Sequence, residues 1–355
     1  MRYPAFIKPG DTIGFAAPSF GCNIEPYRSS FDHALSVFQK KGYRTLCGEN
    51  VYAGDGIGIS SSPERCGAEF TRMMLSDDCS ALLSCGGGEL MCEILDFVDF
   101  HALASAKPKW FMGYSDNTNL TFLLATLCDT ASVYGPCAAA FGMEPWHISL
   151  HEAFSVLEGR IPFLKGYEAY EIASRKDVDH PLEPYACTEP RKIVCYDPLT
   201  ERILLSGQRA SPLSFSGRLI GGCLDILANL CGTQFDRTTD FLERYADDGF
   251  IWFLEACDLN VFSIRRAVWE FQHAGWFRHV KGFLFGRTLA AQQKLMGLDH
   301  IHAVTDLLSC YHVPILLDVD IGHLPPMMPL ITGSIAYVDF SPKDGSMDLH
   351  YELKA

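Results

Sequence analysis

Apolar runs of four to seven residues alternate with helix-period stretches through the first 140 residues. TIGFAAP (12–18) reads as a buried strand leading into a Pro-Ser-Phe-Gly loop. FDHALSVFQKKG (31–42) carries a helical period with Gly42 as its stop, and the short strand YRTLC follows. SPERCGAEFTRMML (62–75) opens with a Ser-Pro-Glu start signal and predicts a helix. SALLSC (80–85) predicts a strand that runs into three glycines, and ELMCEILDFV predicts the next helix. WFMGYS then leads into a helix from Asn117 to about Leu127, followed by the strand SVYGP (132–136). Strands alternating with helices predict a parallel sheet covered on both faces.

The pattern changes at residues 160 to 212, which are proline-rich, polar and without a sustained period. This stretch reads as a connection, with room for short strands. A second unit begins at SGRLIGGCLDILANLCG. It continues through the strand FIWFLE (250–255), a helix over 264–275, the strand KGFLFGR (281–287), a helix around 300–311 and the strand PILLDVDIG (314–322). SIAYVDF and SMDLHYEL close it as hairpin strands. The predicted organisation is an α/β protein: an N-terminal parallel-sheet domain (1–160), a connecting segment (161–212) and a C-terminal mixed α/β domain (213–355).

Composition narrows the class. Hydrophobic residues make up 48% of the 355 and charged ones 20%, a globular balance rather than a disordered one. The net charge of −14 and the lack of a Lys/Arg cluster argue against a nucleic-acid binder. No stretch reaches transmembrane length, and Pro4, Lys8, Pro9 and Asp11 interrupt any signal-like run, so a cytoplasmic protein without membrane partners is expected. The 14 cysteines are scattered with no C-x-x-C, which predicts reduced thiols and no zinc site.

Four places carry candidate chemistry. G-Y-S-D-N (113–117) sets Ser115 between a strand and a helix, where a nucleophile elbow would expose its Oγ. Asn117 stands at the usual fifth-position glycine and tolerates strained backbone; a simple helix N-cap is the plainer reading of the same residues. C-G-G-G-E (85–89) can present backbone N–H donors to an oxyanion or form an ordinary tight turn, and it matches neither a dinucleotide nor a P-loop motif. Glu255 ends a buried strand, where a carboxylate either orients a histidine or pairs with Arg265 or Arg266. His323 follows another apolar strand in D-I-G-H (320–323). Three strand ends thus offer a nucleophile, a base and a base-orienting acid, at the sheet edge where α/β proteins bind ligands.

With these segments in hand, the chain resembles the LD-carboxypeptidase family of serine peptidases, including its microcin C self-immunity branch. The resemblance is carried by KPGDTIGFAAPS, GGGELMCEILDFVDF, KPKWFMGYSDNTNL, VYGP, GRLIGGCLDILANLCGT, IWFLEACD, AVWEFQHAGWF with GFLFGR, and VPILLDVDIGHLPPMMPL, in family order outside 145–212. It implies a catalytic set of Ser115, Glu255 and His323. It implies an oxyanion hole from the backbone N–H groups of Asp116 and of Gly87 or Gly88. It also implies a homodimer needing neither metal nor cofactor, acting on a small peptide: the terminal D-alanine of cytoplasmic murein tetrapeptides. The alternative within the family is a peptidyl-nucleotide. Two departures bear on the substrate. Gly86 and Glu89 stand where many members have an arginine and an aromatic residue. No tryptophan lies between Trp146 and Trp252 to stack on a base, leaving Tyr170, Tyr185 or Tyr196 for that part.

Overall fold

The computed structural model describes residues 1–160, 163–208 and 210–355. Five short strands, β1 (Thr12–Ala16), β2 (Arg44–Cys47), β3 (Ala81–Ser84), β4 (Trp110–Gly113) and β5 (Ser132–Tyr134), pair in parallel in the order β5-β4-β3-β1-β2. Helices α1 (Tyr27–Lys40), α2 (Pro63–Leu75), α3 (Phe100–Ser105), α4 (Thr118–Thr126) and α5 (Ile148–Leu157) alternate with them. The start signal of α2 works as its sequence suggests: Pro63 sits in the first turn and the Ser62 side chain accepts from the Arg65 N–H. Every residue of α4 is buried, because this apolar helix is covered on all sides.

The segment expected as a helix after the glycine turn is different. Met91–Phe97 forms a 3-10 helix, Val98 is extended, and the Asp99 side chain then caps α3 by accepting from the Ala102 N–H. Burial of Met91, Ile94 and Leu95 satisfies either helical period, so their spacing alone does not choose between them.

The connecting stretch holds two strand pairs. The first is β6 (Ala169–Tyr170) with β7 (Glu189–Pro190), and the second is β8 (Val194–Asp197) with β9 (Arg202–Leu205). The second pair is part of a sheet, not a free connection, since β8 runs antiparallel beside a strand of the second sheet. That sheet is built on β10 (Leu213–Cys223), followed by helices α6 (Leu224–Leu230) and α7 (Thr238–Arg244). Next come β11 (Phe250–Glu255), α8 (Val261–His273), β12 (Val280–Gly286), the small hairpin β13 (Lys294–Leu295) and β14 (Leu298–Asp299), α9 (His300–Leu308) and β15 (Ile315–Val319). After β16 (Leu330–Thr332), the hairpin β17 (Ile335–Ser341) and β18 (Ser346–Glu352) completes the order β18-β17-β10-β11-β12-β15-β8-β9. β10, β11, β12 and β15 are parallel, and the flanking strands are antiparallel.

Two features bind the halves together. β16 leaves the second half of the chain and pairs antiparallel with β5 at the edge of the first sheet. Phe122 of α4 packs on Trp276 with ring centroids 5.4 Å apart, and Trp276 stacks on Trp252 of β11 at 5.7 Å. Such ring pairs add about 0.5–1.5 kcal/mol each beyond their buried area. The carboxyl ends of β4 and β11 are thereby held facing one cavity.

Candidate active site

Ser115 lies between the end of β4 and the start of α4 with φ at 65°, the left-handed region that side chains other than glycine's rarely adopt. Neither Ser115 nor Asp116 caps a helix through its side chain. The strain is at Ser115 alone. Asn117, expected to absorb unusual backbone, has an ordinary helical φ of −63°. Its side chain instead donates to the carbonyl of Gly86 at 2.9 Å, tying the elbow to the glycine turn. Asp116 adds a second tie, accepting from the Met91 N–H at 3.0 Å and from Ser19 Oγ at 2.6 Å. Burial pushes its carboxyl up to about 6, although these donors favour the charged form.

Ser115 Oγ is 2.8 Å from His323 Nε2, and His323 Nδ1 is 2.8 Å from Glu255 Oε2. The carboxylate beside Nδ1 fixes the tautomer: Nδ1–H donates to Glu255, and Nε2 accepts from the serine hydroxyl. Glu255 is buried at the end of β11. It does not pair with Arg265, which bonds Asp306, or with Arg266, which bonds Ser263. Gly322, at φ 97°, makes this approach possible, since a Cβ there would stand 2.6 Å from Glu255 Oε2.

The sequence reading missed Tyr134. Its buried phenol donates to Glu255 Oε1 at 2.6 Å and accepts from the Ser115 N–H at 3.2 Å. Ser115, His323, Glu255 and Tyr134 therefore form one closed ring of hydrogen bonds. Burial raises the Tyr134 phenol well above its ordinary value, so it stays a donor. Burial also opposes charge on His323, but the Glu255 carboxylate outweighs it and holds the imidazole above its usual value. Glu255 is held below the usual carboxylate range despite its burial, because His323 and Tyr134 satisfy it.

The glycine turn stands against the serine. A Cβ at Gly87 would meet Ser115 Cβ at 3.1 Å and Oγ at 3.2 Å, and one at Gly88 would meet Ser19 Oγ at 2.0 Å. Among the described residues, no hydrogen bond uses the N–H of Gly87, Gly88 or Asp116. A cavity of about 630 Å³ opens in front of Ser115 and His323, with Phe20, Tyr27, Glu89 and Asp225 in its lining. Tyr170, Tyr185 and Tyr196 do not line it, and Tyr170 sits instead against Arg287. Among the described residues no group of three or more His, Cys, Asp or Glu side chains is placed to hold a metal ion. Among the described residues no helix is long and apolar enough to cross a membrane.

The family models for the LD-carboxypeptidase N-terminal domain and C-terminal domain match residues 13–135 and 216–338. The chain belongs to the LD-carboxypeptidase family. It is 24% identical to the Microcin C7 self-immunity protein MccF of Escherichia coli over 99% of this chain and 98% of that one. It is 25% identical to the Probable murein peptide carboxypeptidase of Bacillus subtilis over 96% and 92%. Among solved structures, a variant of the microcin C7 self immunity protein in complex with adenosine monophosphate superposes with a TM-score of 0.79. The two are 21% identical, with 99% of each chain covered. The same protein in complex with aspartyl sulfamoyl adenosine gives 0.77 at 21% identity and the same coverage. Membership of the LD-carboxypeptidase family supports a hydrolase, and the fold of these solved structures is shared over 99% of the chain.

Proposed function

We propose that this LD-carboxypeptidase family member is a serine-type amide hydrolase that removes the terminal D-alanine of murein tetrapeptides. The observation that carries this reading is the Ser115–His323–Glu255 chain, with both links at 2.8 Å, opening into the cavity beside the glycine turn. His323 takes the Ser115 proton as Oγ attacks the scissile carbonyl. The N–H groups of Asp116 and Gly87 meet the oxyanion, each worth roughly 3 kcal/mol of barrier. His323 then gives its proton to the departing amine, and water attacks the acyl-enzyme by the same route. Gly88 is the less favoured donor, since it is Gly87 that lies against Ser115. Family resemblance extends the proposal to a cytoplasmic homodimer, with the nucleophile in residues 1–160 and Glu255 and His323 in 213–355.

A second reading is hydrolysis of an aminoacyl- or peptidyl-nucleotide. It is favoured by the nucleotide conjugates bound to the solved relatives and by exposed rings at this cavity's rim, Phe20 (44% exposed) and Tyr27 (54%). These two rings replace the connecting-segment tyrosines as the candidates for base stacking.

The test is mass-spectrometric turnover of a murein tetrapeptide and of an aspartyl-nucleotide conjugate by the purified protein. Loss of D-alanine from the tetrapeptide is the expected result. Cleavage of the conjugate alone would replace the carboxypeptidase reading with the second one.

A further inference from the structure

Among the described residues of 1–160, Tyr134 alone is buried in an apolar cluster that otherwise belongs to the second half of the chain. It sits on β5 beside Gly113 of β4, yet its ring joins Ile251, Phe253, Ile321 and Leu330. Its centroid lies 5.4 Å from that of Phe253 and 6.3 Å from that of Tyr114, the residue before the serine. Close packing on a fully buried ring fixes where the hydroxyl points.

That hydroxyl has one hydrogen and two lone pairs, and its partners dictate how they are used. The Ser115 N–H can only donate, so a lone pair receives it at 3.2 Å. The Glu255 carboxylate accepts, so the hydrogen goes to Oε1 at 2.6 Å. The other oxygen of Glu255 holds His323 Nδ1 at 2.8 Å. Among the described residues of 1–160, no other side chain hydrogen-bonds Glu255. Tyr134 is thus a rigid link from the backbone of the serine to the acid that orients the base.

We infer that Tyr134 is a positioning residue: it holds Glu255 from the first half of the chain and so keeps His323 aligned on Ser115 across the join between the halves. The inference rests on the reading that Ser115 is the nucleophile and His323 its base. The same bond keeps the Ser115 N–H out of the oxyanion site and steadies the elbow at its strained φ of 65°.

The hydroxyl also tempers the base. A donor stabilises the carboxylate most when the imidazole is neutral and leaves the negative charge uncompensated. Without that donor, the His323–Glu255 pair keeps its proton to higher pH. The other titratable groups around these side chains are Tyr114 and Cys257 beside His323, Cys223 beside Glu255, and Asp225 bonded to Cys223. Burial pushes the Tyr114 phenol and the Cys223 thiol up, so both stay neutral through the titration of the pair.

The test compares wild type with Tyr134→Phe, which keeps the ring and removes only the hydroxyl. The readout is the rate at which a fluorophosphonate labels Ser115 across pH, which requires no choice of substrate. The variant is expected to label roughly tenfold more slowly at neutral pH, as slight misalignment of a reacting group does. The midpoint of its pH profile is expected to rise, whereas removing the Glu255 charge lowers it. A merely structural role would lower the melting temperature, since two buried groups lose their partner, and leave the midpoint in place. Site-specific 3-fluorotyrosine at Tyr134, a stronger donor of nearly the same shape, should move the midpoint down, and it serves even if Tyr134→Phe does not fold. A midpoint unmoved by both replacements in proteins that label on Ser115 would overturn the inference. A wild type that fails to label on Ser115 would instead overturn the reading of the nucleophile on which it rests.

Discussion

Ser115→Ala is expected to lower kcat by about 10⁴-fold or more while the protein stays folded, as loss of a nucleophile does in comparable catalytic sets. The fold has little reason to suffer. The hydroxyl's bond in the resting protein is to His323, and the backbone ties of the elbow run through Asn117 and Asp116 instead. Alanine keeps the strained φ of 65°, so it relieves nothing and adds no bulk. Circular dichroism and thermal melting alongside the turnover assay check the prediction. A variant that keeps more than a few per cent of wild-type kcat would remove Ser115 from the reaction.

Glu255→Gln is expected to cost roughly 10³–10⁴-fold in kcat, the size seen when the orienting acid of such a set becomes an amide. An amide at this position offers His323 Nδ1 either a weaker acceptor or an N–H, which turns the imidazole to the wrong tautomer. The pH profile supplies a second signature with a definite sign. His323 acts as a base only when neutral, and Glu255 holds its pKa above the ordinary imidazole value. The acidic limb of the wild-type kcat/KM profile therefore lies above the usual imidazole pKa of about 6.5, and activity rises with pH through it. Removing the Glu255 charge moves that limb to lower pH. The stability linkage runs the other way for each partner. The raised histidine contributes stability below its unfolded pKa and loses it as pH rises through the folded value. The depressed glutamate contributes above its unfolded pKa and loses it as pH falls through its folded value. Measuring residual activity of Glu255→Gln across pH checks both parts. An unshifted limb would mean that another group sets it.

Much of this arrangement is legible in the chain because each reactive residue ends a short buried apolar run. WFMG, FIWFLE and ILLDV are strands whose ends carry, or lead directly to, Ser115, Glu255 and His323. Parallel pairing puts the ends of β11 and β15 on one edge of the second sheet, and the end of β4, in the first sheet, is brought to them by the packing of the two sheets. What the chain does not announce depends on pairing between distant strands. Tyr134 reaches the Ser115 N–H and Glu255 because β5 pairs with β4 in a register that sets Tyr134 beside Gly113. Nothing in SVYGP distinguishes that tyrosine from an ordinary core ring. The place of β8 and β9 in the second sheet is hidden for a related reason, since they lie in a proline-rich stretch and join the sheet through the pairing of β8 with β15. β16 is only three residues long and crosses to the first sheet by pairing with β5, which no local period records. The side-chain roles of Asp116 and Asn117 are likewise tertiary, because they reach Met91, at the start of the 3-10 helix, and Gly86 of the glycine turn.

The central claim is that Ser115 Oγ is the attacking atom, and covalent labelling tests it most directly. The protein is treated with an activated alkyl fluorophosphonate, and the adduct is located by intact mass and peptide mapping. The account predicts one adduct per chain, on Ser115, formed faster as pH rises through the His323 titration and absent from Ser115→Ala. An adduct on another residue, or undiminished labelling of the alanine variant, would contradict it.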